Sequence, residues 1–465
     1  MNSGYMNTHI AIRRVLPCLM GLATALCLMT SCSKGELSTN AKKAQDRPAK
    51  VEIRQTDGKF QMFVNNKPFY VKGAGLEFGS QEKLAASGGN AFRTWRTDNG
   101  RESGQQILDR ARDNGLYVAM GLEVGRERHG FNYDDPAAVA HQLESLRAEV
   151  IKYKDHPALL TWIIGNELNL HSTNPRVWDA VNDISRMIHQ LDTNHPTMTA
   201  LSGISRDLVD HINSRAPDLD LIGIQSYADI VNLPRHLKES GWDRSYLVTE
   251  WGATGHWEVG RTTWGAPIEN DSTMKADFYM KRFQTAIHAD QAQCLGSFVF
   301  LWGQKQERTP TWYGMFLETG EKTETVDVMH FLWNNQWPEN RSPKIEAARL
   351  DGRTADESVR LQAGKPYTAK LIASDPDNDP LTYSWEVLEE SRDLKDGGDA
   401  ESKPNSLPEL ITLSAKPETT ITAPKISGAY RLFGYVFDGK GGAAHLNIPF
   451  FVDAESHVAG TKSAN

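Results

Sequence analysis

The sequence predicts an α/β fold, a (β/α)8 TIM barrel followed by a small all-β sandwich. The chain has 465 residues, of which 39% are hydrophobic and 24% charged, so it can build more than one domain. Strand-like apolar runs alternate with helical patterns eight times over about 250–290 residues, which is typical of this barrel. The predicted strands are Phe69–Gly73, Ala91–Thr94, Tyr117–Gly121, Leu160–Ile164, Thr197–Ala200, Leu221–Gln225, Tyr246–Val248 and Leu295–Leu301.

Local signals support this assignment. The apolar runs Phe60–Val64 and Phe69–Lys72 are joined through Asn65-Asn66, which predicts a hairpin leading into the barrel. Between Val177 and Leu191, apolar residues recur at helical spacing and line one face. Both strand and helix periodicities are therefore present where a barrel needs them.

The composition changes after Trp337. Eleven of the twelve tryptophans lie between Trp95 and Trp337, and only Trp385 lies beyond. Short alternating runs separated by Asp, Pro and Gly then predict an all-β sandwich of about 110 residues. These runs are Tyr367–Ile372, Leu381–Val387, Leu410–Leu413, Tyr430–Phe437 and Ala444–Val452.

The loops of this region resemble those of bacterial Ig-like, PKD-like or cadherin-like modules of secreted enzymes. The resemblance lies in Asp375–Trp385 and in Asp438–Gly442, and it implies an Ig-like β-sandwich domain at residues 341–455. Clustered Asp side chains offer oxygen ligands for Ca²⁺, but Asp also forms turns, so calcium binding stays open. Because each region has its own apolar residues, we expect the barrel at 51–340 to fold without the sandwich.

Residues 1–32 have the features of a secretory signal. Arg13 and Arg14 precede an apolar run that is too short to span a bilayer as a stable helix. The position of Cys32 resembles the bacterial lipoprotein signal, which implies that Cys32 is lipidated and becomes the first mature residue. The alternative is an ordinary secretory signal. With the anchor, the protein would lie in the bacterial cell envelope, on the outer membrane, and residues 33–50 would form a tether.

Composition and motifs exclude several function classes. The net charge of -8 and the absence of a basic stripe argue against a nucleic-acid partner. The sequence contains no His-Glu-x-x-His zinc motif, no Gly-x-Ser-x-Gly elbow and no phosphate-binding loop. We therefore expect no cofactor and no catalytic metal, and we expect a monomer.

Two glutamates follow predicted strands directly. Glu167 comes after Gly165-Asn166 at the end of one apolar run, and Glu250 ends another. The C-terminal ends of barrel strands meet on one face, where such barrels carry their chemistry. Two facing carboxyl groups suit glycoside hydrolysis, in which one protonates the leaving oxygen and the other meets the developing oxocarbenium ion. The alternative is a pair of unrelated surface salt bridges.

Residues 60–335 resemble the catalytic barrel of clan A glycoside hydrolases. They are similar to the family 2 barrel, including the entry motif Asn66–Gly73. Family 2 enzymes carry β-sandwich domains before the barrel, whereas only a tether is expected here. A single barrel followed by an Ig-like domain is closer to the family 158 endo-β-1,3-glucanases.

The resemblance implies roles for three residues at the two strand ends. Glu167 matches the acid/base of the clan, which follows an Asn at the end of strand four. Glu250 matches the nucleophile at the end of strand seven. Asn166 would bind the sugar 2-hydroxyl, and its alternative role is a helix cap.

The same resemblance implies three further substrate-site residues. Arg93, at the end of strand two, would sit beside the nucleophile and keep it ionised, unless it is a surface arginine. Tyr227 would orient the nucleophile through its hydroxyl, and Trp302 would offer its flat face to a pyranose ring. Simple packing is the alternative for both aromatic residues. Glu77 and Glu123 also follow strands and could contact sugar hydroxyls or arginines.

These observations lead us to expect a retaining β-glycoside hydrolase that cleaves within a β-1,3-glucan. Two alternatives remain. One is the same chemistry on another β-glycan, such as a mannan or galactoside, or transfer to a sugar acceptor. The other is a catalytically silent glycan-binding lipoprotein, although a pure binder does not need two opposed carboxylates.

Overall fold

The computed structural model describes residues 47–412 and 415–454. The signal segment, Cys32 and most of the expected tether lie outside the described residues. Within the described ranges, no helix has the length and apolar character needed to cross a bilayer.

A three-stranded antiparallel sheet precedes the barrel. It consists of β1 (Val51–Thr56), β2 (Lys59–Val64) and β3 (Lys67–Phe69), in that order. The β2–β3 turn is Asn65-Asn66, and both residues have positive φ, as a tight hairpin turn requires. Met62 and Val64 share a core with residues of the barrel interior, so this sheet covers one end of the barrel. The predicted hairpin is confirmed, except that its second run is divided between β3 and the first barrel strand.

Eight parallel strands then close into a barrel, which confirms the predicted fold class. They follow one another round the barrel in chain order, and the last pairs with the first. The strands are β4 (Val71–Gly75), β5 (Ala91–Arg93), β6 (Tyr117–Leu122), β7 (Leu159–Asn166), β8 (Thr197–Ser202), β9 (Leu221–Gln225), β10 (Tyr246–Glu250) and β11 (Cys294–Val299). All eight predicted strands are present, with shifted ends. β11 ends at Val299 rather than at the predicted Leu301.

Helices surround the barrel. They are α1 (Gln81–Ala86), α2 (Gly104–Asp113), α3 (Pro136–Tyr153), α4 (Arg176–Leu191), α5 (Arg206–Arg215), α6 (Leu233–Ser240), α7 (Ser272–Arg282) and α8 (Glu324–Asn334). In α4 the apolar positions of the predicted stripe, from Val177 to Ile188, are buried against the barrel. Short 3-10 turns lie at Glu127–His129, Ala228–Asn232, Ala355–Glu357 and Pro408–Leu410, and a π-helical turn at Phe283–Ile287.

The C-terminal region is a two-layer β sandwich. Its strands are β12 (Lys344–Leu350), β13 (Val359–Gln362), β14 (Pro366–Ser374), β15 (Thr382–Glu389), β16 (Glu418–Thr422), β17 (Gly428–Phe437) and β18 (Ala443–Asp453). One sheet has the order β12-β14-β16 and the other β13-β18-β17-β15. Leu371 and Ile421 of the first sheet share a core with Val387 and Leu432 of the second. The sequence did not predict β12 and β13.

The predicted strand at Leu410–Leu413 is present only in part, since Leu410 ends a 3-10 turn while Thr412 N–H donates to Thr420 O of β16 at 3.0 Å. Pro408 starts a 3-10 turn there, and Ile411 makes only an isolated bridge to Ile421. Pro408, two residues before the run, lacks the backbone N–H that a strand would use, which favours the turn. The strand that completes this sheet is β16 instead.

The barrel and the sandwich belong to one compact unit and share a buried polar interface. Glu269 before α7 accepts hydrogen bonds from Lys275 Nζ at 2.5 Å and from the sandwich residue Asn447 at 2.5 Å. Arg431 of β17 donates to the backbone oxygen of Pro267 at 2.7 Å. Each apolar core is separate, as expected, but removing the sandwich would leave buried barrel groups without partners. The expectation that the barrel folds without the sandwich stays a prediction, and these contacts argue against it.

Candidate active site

Glu167 and Glu250 lie at the same end of the barrel. Glu250 is the last residue of β10, and Glu167 directly follows β7. Both line a cleft of about 1180 Å³ over the C-terminal ends of the strands. The alternative of two unrelated surface salt bridges does not describe this arrangement, because one cavity contains both side chains.

The chain turns sharply just before Glu167. Gly165 has a φ of +74°, and a Cβ there would lie 2.6 Å from Leu168 Cδ1. Glu167 itself has a φ of +50°, a conformation that is uncommon for a residue with a side chain. Its backbone N–H donates to Ala200 O at 2.8 Å, which ties the turn to β8. The turn therefore needs the glycine and holds Glu167 at the strand end.

Four side chains donate hydrogen bonds to the Glu250 carboxylate. Arg93 Nη1, Trp95 Nε1 and Gln225 Nε2 reach Oε1 at 3.2, 3.0 and 3.1 Å. Tyr227 donates its hydroxyl to Oε2 at 2.8 Å. Glu250 is only 6% exposed, so these contacts are made away from water. An ionised carboxylate only accepts hydrogen bonds, and this set of donors suits that form and fixes its orientation.

Arg93 is fully buried and joins three strands. Its Nη2 donates to Asn166 Oδ1 at 2.8 Å, while Nη1 also donates to Thr249 O at 3.2 Å. Its guanidinium lies 4.8 Å from the ring centre of Trp95. The alternative of a surface arginine does not hold, because the exposure of Arg93 is 0%.

Tyr227 lies between the nucleophile candidate and an aromatic wall. Burial, and then the charge of Glu250, raise the pKa of Tyr227 well above its ordinary value of 10.0. The phenol therefore keeps its proton and donates to Glu250. Its ring makes edge contacts with Trp257 and Phe300 at centroid distances of 5.5 and 6.0 Å.

Glu167 has a different environment from Glu250. Burial raises its pKa from 4.5 to about 7, and the nearby negative charge of Glu250 acts in the same direction. Arg128 and Arg93 oppose this rise only in part. One carboxyl group is thus held by donors, while the other retains a proton near neutral pH, which is the arrangement of an acid and a nucleophile.

Asn166 is oriented by two donors. Its Oδ1 accepts from Arg93 Nη2 and from Gln225 Nε2, the latter at 2.7 Å. Because the oxygen is engaged, the amide Nδ2 is the group left to donate into the cleft. Asn166 is the last residue of β7, and the structure shows no helix beginning there, so the helix-cap alternative does not apply.

The interpretation of Trp302 as a sugar platform is wrong in this structure. Trp302 is 0% exposed, donates through Nε1 to Ser80 O at 3.1 Å, and packs its ring on Phe316 and Trp333. Because β11 ends two residues earlier than predicted, the ring turns into the core. Phe300 and Trp302 both border the cleft, but only Phe300 keeps some exposed surface there, at 6% against 0%.

The aromatic lining of the cleft includes Trp95, Trp257 and Phe300. Trp257 is 56% exposed, and Trp95 is half-buried beside Phe300, with ring centres 5.8 Å apart. Trp251 and Trp312 are buried in the core instead. Trp95, Trp257 and Phe300 are therefore the rings placed to meet a ligand.

Charged groups at the cleft are mostly paired. Glu77 pairs with Arg96 at 2.6 Å, which is one of the two roles expected for it. Lys305 pairs with Glu307 at 2.8 Å. Glu123 lines the cleft as an exposed carboxylate.

Gln225 is a site residue that the sequence reasoning missed. It ends β9 and donates to both Asn166 and Glu250, at 2.7 and 3.1 Å. It occupies the same strand-end position as Arg93 and Glu250. Treating every polar residue at a barrel strand end as a candidate would have found it.

The possible calcium cluster lies outside the cleft, between β14 and β15. Asp375, Asp377 and Asp379 place carboxylate oxygens within 4.8 Å of one another. Asp379 pairs with Lys440 Nζ at 2.6 Å, and Asp375 accepts from the backbone of Asp377 at 2.8 Å. The ammonium group already supplies positive charge here, and the contacts within the loop are those of a turn.

Comparisons with known proteins give fold likeness only. No family model and no curated protein matches the chain. Among solved structures, a β-D-glucuronidase from Dictyoglomus thermophilum has a TM-score of 0.48 and 17% identity, covering 62% of this chain and 54% of its own. β-Glucuronidase 2 from Bacteroides uniformis has a TM-score of 0.48 and 13% identity, and the match covers 87% of this chain and 48% of that protein. A GH2 β-galacturonidase from Eisenbergiella tayi has a TM-score of 0.46 and 15% identity, and the match covers 62% of this chain and 54% of that protein. The chain spans about half the length of these proteins.

Proposed function

We propose that this protein is a retaining β-glycoside hydrolase. The observation that carries the proposal is the contrast between two carboxyl groups in one cleft. Glu250 accepts four hydrogen bonds, whereas burial raises the pKa of Glu167 to about 7. A carboxylate nucleophile and a protonated acid are the two groups that retaining hydrolysis requires.

The first step forms a glycosyl-enzyme. Glu250 attacks the anomeric carbon, and the bond to the leaving oxygen breaks as Glu167 gives that oxygen its proton. In the second step the Glu167 carboxylate takes a proton from water, and the resulting hydroxide-like oxygen attacks the anomeric carbon. Glu250 leaves, and the product has the original β configuration after two inversions.

The surrounding residues support these steps. Arg93, Gln225 and Tyr227 fix the Glu250 carboxylate and are positioning residues. Asn166 is placed to donate its Nδ2 group to the sugar 2-hydroxyl, a contact that strengthens in the transition state. Phe300 and Trp95 provide apolar faces beside Glu250 for the C–H face of the sugar.

The charge of the cleft favours a neutral glycan. Arg96 and Lys305 are each held by a carboxylate, so a uronic acid bound at either of these two cations would have to displace a protein partner. Within neutral glycans, we propose cleavage inside a β-1,3-glucan chain, with a β-mannan, a β-galactoside or an acceptor sugar as the alternatives. The choice of β-1,3-glucan is supported by the order of the domains, because a barrel followed by an Ig-like sandwich resembles the family 158 endo-β-1,3-glucanases.

A hydrolysis panel tests the proposal. Purified protein is incubated with β-1,3-glucan, β-1,4-glucan, β-mannan, β-galactan and a polyuronate, and the reducing ends and product sizes are measured. The matched control is Glu250→Gln, which keeps the shape of the side chain and removes the nucleophile. We expect the wild type alone to release sugars, from neutral β-glycans. Equal activity of wild type and control would contradict the assignment, and release from the polyuronate alone would contradict the neutral class.

We also propose that the protein is anchored to the envelope through Cys32. The sequence signal supports this, and Cys32 lies outside the described residues. Cys294 is buried, and burial raises the pKa of its thiol to about 12, so it is not available for acylation. Wild-type protein should fractionate with membranes, and Cys32→Ala should lose that association. Soluble wild-type protein would contradict the anchor.

A further inference from the structure

A loop of the sandwich reaches the cleft of the barrel. The segment Lys395–Glu401, which we call the strap, lies between β15 and β16. Residues Asp396–Glu401 line the same cleft as Glu167 and Glu250. The cleft is therefore lined by residues of both domains, whereas the sequence analysis predicted site residues in the barrel only.

On one side the strap is held by cations that follow β6. Asp399 accepts from His129 Nε2 at 2.8 Å and lies 3.7 Å from both Arg126 Nη1 and Arg128 Nη2. Arg128 also donates to Gly397 O at 3.3 Å. One carboxylate thus pairs with three basic side chains of the barrel.

On the other side the strap is held by residues that follow β11. Arg308 forms an ion pair with Glu401, whose side chain is fully buried, and donates to Lys395 O at 3.0 Å. Lys305 donates to Gly398 O. Arg308 also donates to His256 Nε2 at 2.9 Å, and burial lowers the pKa of His256 to about 4, so that ring is a neutral acceptor.

The strap therefore crosses the barrel mouth. Asp396 lies 3.9 Å from both Arg308, which follows β11, and His171, which follows β7. These two strands are four apart in both directions round the closed barrel, so they lie on opposite sides. The strap therefore spans the opening between the ends of β7 and β11.

The backbone of the strap is shaped for close contact. Gly397 and Gly398 both have left-handed φ values, of +61° and +72°. A Cβ on Gly397 would lie 2.6 Å from Arg128 Nη2 and 2.9 Å from Leu170 Cδ2. A larger residue would lift the strap from the barrel.

The anchor of the strap lies beside the acid/base candidate. Arg126, which faces Asp399, also donates through Nε to the backbone oxygen of Asn166 at 3.3 Å, and Asn166 directly precedes Glu167. In the proposed reaction Glu167 protonates the leaving oxygen, so the leaving sugar lies on the Glu167 side of the scissile bond. The strap is thus next to the sugars that leave.

We propose that the strap is the wall of the leaving-group subsites, and that Asp399 is the positioning residue that holds it there. This inference rests on the proposed glycoside hydrolysis. The ligand is the neutral sugar chain beyond the cleaved bond, whose hydroxyls would meet the polar backbone and carboxylates of the strap. The sandwich would then be part of the substrate site.

The test compares two substrates that differ only on the leaving side. An oligosaccharide of the sugar identified by the panel needs the leaving-group subsites, whereas an aryl β-glycoside of the same sugar does not. Two variants loosen the strap independently, Asp399→Ala by removing its anchor and Gly397→Val by straining the backbone at a positive φ. The matched control is Asp351→Asn, since Asp351 pairs with Arg353 on the sandwich, away from the strap, and does not line the cleft.

We expect both variants to lose at least about tenfold in kcat/KM on the oligosaccharide, mainly through KM, and to change less than about threefold on the aryl glycoside. Asp399→Glu should restore part of the oligosaccharide activity, and Asp351→Asn should behave as wild type. Equal losses on both substrates, or no loss on either, would overturn the role of the strap. Wild-type protein that hydrolyses neither substrate would contradict the proposed function instead.

Discussion

The guanidinium of Arg93 joins Glu250 to Asn166 through two separate nitrogens, at 3.2 and 2.8 Å, in a fully buried position. One side chain from β5 thereby sets the orientation of the nucleophile candidate on β10 and of the amide on β7. The planar guanidinium reaches the two acceptors with separate nitrogens, so its geometry fixes both contacts at once.

Arg93→Lys should therefore impair catalysis while keeping the charge. Lysine keeps the charge but loses the second nitrogen and the planar geometry of the guanidinium, so we expect kcat to fall by about 10²–10³-fold. Steady-state kinetics on an aryl glycoside measure this. The matched control is Arg96→Lys, because Arg96 makes a half-exposed pair with Glu77, and its kcat should change less than about threefold. A normal kcat for Arg93→Lys would remove its fork from the mechanism.

Glu167→Ala should separate the two steps of the reaction. A substrate with a good leaving group needs little protonation, so glycosyl-enzyme formation should persist, while the second step slows because water lacks its base. Added azide, which needs no base, should restore turnover and give a β-glycosyl azide. Full activity of Glu167→Ala on the polysaccharide, or an α-azide, would contradict the acid/base role. Glu123→Ala is the control, with no effect of azide.

The pH dependence should follow Glu167. As the acid it must be protonated, so activity on substrates with poor leaving groups should fall as the pH rises through about 7. Substrates with good leaving groups should be less affected in the first step. A pH profile of kcat/KM measures both, and a profile that is flat between pH 5 and 9 would contradict the assignment.

The raised pKa of Glu167 also predicts that the folded protein loses stability as the pH rises. A group whose pKa is raised on folding stabilises the protein at low pH, and that contribution is lost as the pH rises through the folded-state pKa. A rise from 4.5 to about 7 corresponds to at most about 3 kcal/mol. Glu167→Gln should remove this loss, so its advantage in unfolding free energy over wild type should grow between pH 4 and pH 8. Urea denaturation at both pH values measures it, and an unchanged difference would contradict the buried environment.

The interface between barrel and sandwich should also be needed for stability. Deleting residues 342–465 removes Asn447 and Arg431, the partners of Glu269 and of Pro267 O. Because unpaired buried groups are costly, we expect low soluble yield or a lowered melting temperature of the isolated barrel. Thermal denaturation of the truncated chain measures this. A barrel with the melting temperature of the whole chain would show that the interface contributes little.

The sequence predicted features that depend on neighbouring residues. Strand periodicity located all eight barrel strands, and the strand-end rule located Glu167 and Glu250, which line one cleft. The family resemblance pointed to Arg93 and Tyr227, which both contact Glu250. Features that depend on distant parts of the chain were not predictable in this way. The ring of Trp302 is buried because β11 stops at Val299 and residues from α8 pack on it.

The strap is a second feature that could not be predicted from the sequence. Asp399 is far along the chain from Arg126, and its loop has the composition of an ordinary exposed turn. Only the packing of the sandwich on the barrel brings these residues together. A single sequence contains no local signal for such a contact.

Trapping the covalent intermediate tests the central claim most directly. A 2-deoxy-2-fluoro β-glycosyl fluoride of the substrate sugar slows both steps but enters the first readily, so the glycosyl-enzyme accumulates. Intact-protein mass spectrometry should show one added sugar on the wild type, and peptide mapping should place it on Glu250, with no label on Glu250→Gln. Label on Glu167 or elsewhere, or active protein that acquires no label and gives the inverted anomer, would contradict the account.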